Sequence, residues 1–281
     1  MKMNLILQGP AEKLAQIAAL ADPARVVTLH DGAVRAEDVE AGDRVRAAVA
    51  LAAFPAGVDA TFIAADRTLA DFKLVAMDMD STLITIECID EIADMQGLKA
   101  QVSAITEAAM RGELDFAASL TRRVALLEGL DATALERVYD ERLRLSPGAE
   151  AMLAGVQAAG LKTLLVSGGF TFFTERLQQR LGLDYAHANV LEVREGKLTG
   201  KVVGGIVDAL EKKRTVERVC GELGIAPHQA IVMGDGANDL QMMSIAGLSV
   251  AFRAKPVVRV QANIALNFSG LDALLTILAE S

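Results

Sequence analysis

Cysteine is scarce in this 281-residue chain: there are two, Cys88 and Cys220, far apart and with no C-x-x-C or Cys/His spacing. That argues against a disulfide framework or a zinc cluster and fits a reducing compartment. Long apolar runs are lacking as well. No stretch reaches the roughly 18 apolar residues of a spanning helix, and the opening run Met1–Gln8 is too short for a secretory signal. A soluble, cytoplasmic chain with no membrane partner is therefore expected. Cationic charge is also in short supply, with 28 Lys and Arg against 37 Asp and Glu and a net charge of −9. Neutralising a nucleic-acid backbone needs a concentrated excess of Lys and Arg, so no nucleic-acid partner is expected and any phosphate handled here belongs to a small molecule.

What is abundant is apolar: 52% of the residues are hydrophobic, enough for one large core plus a smaller module. The stretch Val75-Ala76-Met77-Asp78-Met79-Asp80-Ser81-Thr82, preceded by Phe72 and Leu74, reads as a strand buried on both faces that ends where two carboxylates begin. The C-terminal edge of a parallel sheet is where α/β proteins bind ligands. Asp78 and Asp80 could hold a divalent cation there, or one could attack while the other manages a proton. They could also be a solvated strand end with a helix cap.

Residues 1–70 read as a small α/β module, with strands near 4–7, 26–29 and 59–63 and helices near 11–20 and 43–51. It carries no cluster of carboxylates, Cys or His and no Gly-rich phosphate loop. Residues 71–281 form the second unit. Within it, about 87–144 reads as a helical insertion, with Leu120, Val124 and Leu127 at helical spacing. Leu145-Ser146-Pro147-Gly148 closes that insertion, because proline disfavours helix at the residue before it. From Ala149 helices and strands alternate, as in a doubly wound, mainly parallel sheet. One strand runs into Ser167-Gly168-Gly169, whose hydroxyl and unhindered N–H groups at a helix N-terminus suit an anion. Another ends in Gly234-Asp235-Gly236-Ala237-Asn238-Asp239, and a helix near 211–223 carries Lys212, Lys213 and Arg214. Parallel strands share one C-terminal edge, so these clusters converge.

D-x-D-S-T, V-S-G-G-F, the basic helix, G-D-G-A-N-D and A-K-P, in that order, resemble the phosphoserine phosphatases of the haloacid-dehalogenase superfamily, bacterial type. The resemblance implies an α/β, doubly wound core with a helical cap over its active site, and hydrolysis of O-phospho-L-serine, the last step of serine biosynthesis. It implies Asp78 as nucleophile forming an aspartyl-phosphate, and Asp80 as the acid that protonates the leaving oxygen and then the base that activates water. Mg2+ is the implied cofactor, on the Asp78 side chain, the Asp80 carbonyl and the Asp235 side chain. Ser167, Gly168, Asn238 and a lysine are the implied phosphate contacts. Counting from Asp235 places that lysine at Lys212, with Lys213 and Arg214 as neighbours, and Asp239 orients it or a metal-bound water. For the substrate, Glu87 matches the residue receiving the ammonium and Arg123 the one gripping the carboxylate, while Met110 and Phe116 match apolar residues that close the pocket. By position and size residues 1–70 resemble the ACT-like extensions of some bacterial members, which suggests amino-acid sensing or a homodimer through this module. An extension that only packs against the rest is the alternative. A related phosphatase or phosphotransferase acting on another small phosphomonoester, such as phosphothreonine or phosphohomoserine, is the rival function.

Overall fold

The computed structural model describes residues 3–110 and 113–280, with the side chain of Met110 outside the described set. The first sheet and its helices are β1 (Met3–Gln8), α1 (Ala11–Ala18), β2 (Arg25–His30), β3 (Ala33–Val39), α2 (Asp43–Ala53) and β4 (Asp59–Ala64). The four strands are antiparallel in the order β2-β3-β1-β4, the ferredoxin-like arrangement of a βαββαβ chain. Strand β3 falls outside the sequence reading. Its Arg35, Glu37 and Asp38 break the apolar alternation, and the buried Arg35 is satisfied instead by Glu37 at 3.1 Å and the Glu280 carbonyl at 3.3 Å.

The larger body begins with β5 (Leu74–Met77). The insertion carries α3 (Cys88–Met95), α4 (Lys99–Met110), α5 (Phe116–Ala125) and α6 (Thr133–Arg137), followed by a wide turn over Val138–Arg142. Then come α7 (Ala149–Ala158), β6 (Lys162–Phe170), α8 (Thr171–Leu181), β7 (Tyr185–Arg194), β8 (Lys197–Val203), α9 (Ala209–Leu223) and β9 (Ala230–Gly234). The chain ends with α10 (Leu240–Met243), β10 (Leu248–Phe252), α11 (Pro256–Arg259), β11 (Ile264–Leu266) and α12 (Ala273–Ile277). These strands form one sheet in the order β11-β10-β9-β5-β6-β7-β8, parallel except where β8 pairs antiparallel with β7. The fold is thus the doubly wound α/β type that the alternation predicts.

Strand β5 shows why both faces are covered. Val75 and Met77 join one apolar cluster with α7, α8 and the insertion, whereas Leu74 and Ala76 join the opposite one with Val216, Val219 and Cys220 of α9. Alternate residues of one strand feed two layers of helices. From β5 the sheet grows outward through β6 and β7, and the chain then returns to place β9 on the other side, so β5 lies at the switch in strand order where a crevice opens. The two strands of chain entering and leaving the insertion run side by side: Thr85 N–H donates to the Arg144 carbonyl at 2.9 Å and Ser146 N–H to the Leu83 carbonyl at 2.9 Å. That pair forms the base of the cap.

The small sheet is fastened to the large one. Leu5 and Leu7 of β1 face their own helices, while Ile6 of β1 and Ile63 of β4 pack with Phe72 in the main core. The buried Asp59 carboxylate accepts backbone N–H bonds from Asn267 at 2.7 Å, Phe268 at 3.1 Å and Ser269 at 2.8 Å. Among the described residues no helix is long and apolar enough to cross a membrane.

Candidate active site

Asp78 follows the last residue of β5, and its N–H still donates to the Met233 carbonyl of β9 at 3.0 Å, so the ladder holds its backbone. Its side chain is buried. Oδ1 accepts the Met79 N–H at 2.7 Å and Oδ2 lies 2.7 Å from Lys212 Nζ. Lys212 is fully buried and reaches Asp239 Oδ1 at 2.8 Å as well. Lys213, the neighbour the count left open, instead points along α9 toward Glu217 at 3.8 Å, a third exposed. Helical spacing explains the difference: Lys212 shares the buried face of α9 with Thr215, Val216 and Val219.

Asp239 is the anchor of this arrangement. Its second oxygen accepts the N–H groups of Asp235 and Gly236, both at 3.1 Å, so it ties the loop after β9 to Lys212. Carboxylate oxygens of Asp78, Asp235 and Asp239 lie within 4.8 Å of one another, with Lys212 paired to the first and the last. The anions are in excess, and the acid–base balance records it. Burial pushes Asp235 up to about 7, with Asp239 and Glu87 adding to it. Burial and then Asp239 push Asp78 well above the usual carboxylate range, against the pull of Lys212. Burial alone would lower the Lys212 ammonium, but Asp239 and Asp78 outweigh it and keep it charged. A crowded, oxygen-only donor set with a deficit of positive charge is what a hard divalent cation satisfies, so the residues present can hold a metal.

Asp80 lies two residues beyond Asp78, and its carboxyl is pushed up to about 8 by burial and by Glu87. Its Oδ1 is buried without a hydrogen-bond partner. Ser167 and Gly168 sit on the adjacent strand. The expected helix N-terminus at Ser167-Gly168-Gly169 is displaced, because β6 stays extended through Phe170 and α8 starts only at Thr171. A Cβ on Gly169 would lie 3.1 Å from both Asp80 Oδ2 and Ser167 Oγ, and the Gly169 N–H donates to that Oγ at 2.9 Å. A Cβ on Gly168 would lie 2.8 Å from the Phe116 ring. Glycine at 168 and 169 therefore lets the cap residue Phe116 and the acid Asp80 close onto the backbone of β6. Asn238, half-buried in the turn before α10, folds back over Gly236.

The remaining candidates come from the cap. Glu87 is the residue before α3, and its Oε1 accepts the Ser81 hydroxyl at 2.8 Å. The residue as a whole is exposed, but desolvation of its carboxylate raises its pKa. Arg123, in the last turn of α5, has a buried Nε with no partner, while Arg122 beside it is exposed. Burial lowers the Arg123 pKa, opposed by the charges of Asp90, Glu87 and Asp80. Met110 ends α4, with its side chain outside the described residues.

With this geometry in hand, the kinship is clear. A family model for haloacid dehalogenase-like hydrolases matches residues 72–247. The chain belongs to that family. Within it, the chain is similar to the phosphoserine phosphatase of Polaromonas sp., at 59% identity over 215 residues, 75% of this chain and 91% of that protein. Its fold is similar to the crystal structure of a HAD family hydrolase from Salmonella enterica serovar Typhi, with a TM-score of 0.91 at 33% identity over the full length of both chains. A probable phosphoserine phosphatase from Vibrio cholerae matches with a TM-score of 0.83 at 36% identity, over 99% of this chain and 86% of that one.

Four residues around this site were given no role from the sequence. Asp90 has a buried, unpartnered Oδ1 and is the main charge favouring the ionised Arg123. Its place three residues after Glu87, on the same helix face, was a usable signal. Cys88 is buried against Asp80, and Lys255 of A-K-P donates its N–H to the Asp235 carbonyl at 3.0 Å. Ser81, within the D-x-D-S-T run itself, was read only as part of the motif.

Proposed function

We propose that this chain hydrolyses O-phospho-L-serine to L-serine and inorganic phosphate through a phosphorylated Asp78, in the cytoplasm, as the final step of serine biosynthesis. The observation that carries the reading is the juxtaposition of two sets of groups. Asp78, Lys212 and Asp239 form a buried charged chain at the end of β5, and Glu87 and Arg123, oppositely charged, lie near enough to Asp80 for the charges of Glu87 and Asp80 to act on Arg123. The first set handles a phosphoryl group, and the second is complementary to an amino acid's ammonium and carboxylate. The identity to relatives named phosphoserine phosphatase supports the same substrate.

In this reading Asp78 attacks phosphorus and the bond to the serine oxygen breaks. Asp80, with its pKa near 8, is mostly protonated at neutral pH and gives its proton to that leaving oxygen. Having lost it, Asp80 takes a proton from the water that then attacks the aspartyl-phosphate, so Asp78 is regenerated and phosphate leaves. Lys212, Ser167 Oγ, the Gly168 N–H and Asn238 meet the phosphate oxygens, where charge spreads in the transition state. Asp239 keeps Lys212 extended toward Asp78. Asp78, the Asp80 carbonyl and Asp235 would hold Mg2+, which would supply further positive charge at the phosphoryl group. Phe116, against Gly168, excludes water over the substrate.

Residues 1–70 and 71–281 form the two proposed units, the first ACT-like in its βαββαβ order. Since one face of its sheet already packs on the larger body, a homodimer through this module would use its edge strand β2. Phosphate release from phosphoserine, phosphothreonine, phosphohomoserine and a sugar phosphate, with and without Mg2+, tests the function. A clear preference for phosphoserine that requires the metal is expected, and preference for another monoester would overturn it.

A further inference from the structure

Ser81 adopts a left-handed backbone conformation, φ 56°, that is uncommon for a residue with a side chain. Two bonds accompany it. The Ser81 N–H donates to the Ile86 carbonyl at 3.2 Å, closing the loop between the two aspartates and α3, and the Ser81 hydroxyl donates to Glu87 Oε1 at 2.8 Å. The first bond shapes the loop and the second fixes the carboxylate at its end. Glu87 is an exposed residue, and among the described residues its carboxylate accepts no other hydrogen bond. A flexible glutamate there would otherwise sample several rotamers and lose that freedom on binding.

We propose that Ser81 is a specificity-positioning residue, which presets the Glu87 carboxylate for the substrate ammonium and ties that recognition to the loop carrying Asp80. This rests on the assignment of Glu87 as the ammonium acceptor made above. Asp80 and Ser81 are consecutive, so a shift at Glu87 is transmitted to the acid through a single peptide unit. Among the described residues the Ser81 hydroxyl bonds to no side chain but that of Glu87. It acts through Glu87.

A double-mutant cycle separates the possibilities. Ser81→Ala removes the hydroxyl, and Ser81→Gly removes it while tolerating the left-handed backbone without strain. Each is combined with Glu87→Ala and assayed in the full chain on phosphoserine and on p-nitrophenyl phosphate, which lacks an ammonium. Both Ser81 variants are expected to raise KM for phosphoserine about tenfold, the lower end for losing a hydrogen bond to a charged group. The kcat/KM for p-nitrophenyl phosphate should stay within about twofold, and in the Glu87→Ala background the Ser81 changes should add less than about twofold. Equal losses on the two substrates, full additivity with Glu87→Ala, or a Ser81→Gly enzyme with unchanged KM would overturn the proposal. If Glu87→Ala alone leaves KM for phosphoserine unchanged, the ammonium assignment fails first and this inference with it. If Glu87→Ala raises KM and the Ser81 variants do not, this inference alone fails.

Discussion

Replacing Asp235 by asparagine should make the metal-free protein more stable and the enzyme useless. The carboxyl is displaced from its ordinary 3.8 to about 7 by burial among other carboxylates. Such a displacement corresponds to about 4 kcal/mol at 1.36 kcal/mol per pH unit. The side chain keeps a solvent-facing side, so about 1–3 kcal/mol is the expected effect after screening. The folded-state value lies above the unfolded one, so the folded protein retains a proton that the unfolded chain has released. The cost of the carboxylate is therefore absent below about pH 4, grows between about pH 4 and 7 and is complete above that. Asparagine has the same shape and no charge. Urea unfolding in EDTA should find Asp235→Asn more stable than the wild type at pH 8, with the difference vanishing toward pH 4. Adding Mg2+ should stabilise the wild type and leave the variant nearly unchanged. A variant less stable than the wild type at pH 8 in EDTA would refute the reasoning, because it would mean that the ionised carboxylate is already compensated by the protein.

Arg123→Ala should raise KM for phosphoserine at a cost of about 2–4 kcal/mol in kcat/KM, and change phosphoethanolamine hydrolysis little, since that substrate has no carboxylate; equal losses in steady-state kinetics would assign Arg123 to the fold. A chain beginning near Asp66 should keep most of its kcat where it is folded, yet unfold at lower urea concentration, since it loses the Ile6 and Ile63 contacts and the Asp59 bonds. A folded truncation with no activity would contradict this. Metal binding below about pH 7 should release protons, because Asp235 must ionise to bind; calorimetry in buffers of different ionisation enthalpy reads the proton count, and no release at pH 6 would contradict the site.

The carboxylates were legible because each ends an apolar run: Val75–Met77 before Asp78 and Ile231–Met233 before Asp235. A strand buried on both faces has one place for a polar cluster, its C-terminal edge. Lys212 over Lys213 was also readable, through the 3.6-residue period that puts Val216 and Val219 on the same face. Side-chain links across irregular backbone were not. The Ser81–Glu87 bond depends on a left-handed residue inside a closed loop, and no periodicity encodes it. The extension of β6 through Gly168 and Gly169 was hidden as well, since glycine pairs read as loop until Phe116 and Asp80 are seen packed against them. Strand β11 and helix α12 are too short to show a period at all.

The central claim is that Asp78 carries the phosphoryl group. Incubating the enzyme with radiolabelled phosphoserine, quenching in acid and treating the denatured protein with hydroxylamine tests it, because hydroxylamine cleaves acyl phosphates and spares phosphoserine esters. The wild type should retain label that hydroxylamine releases, and Asp78→Asn should retain none. Hydroxylamine-sensitive label on the Asp78→Asn protein would place the nucleophile at another residue and contradict the account.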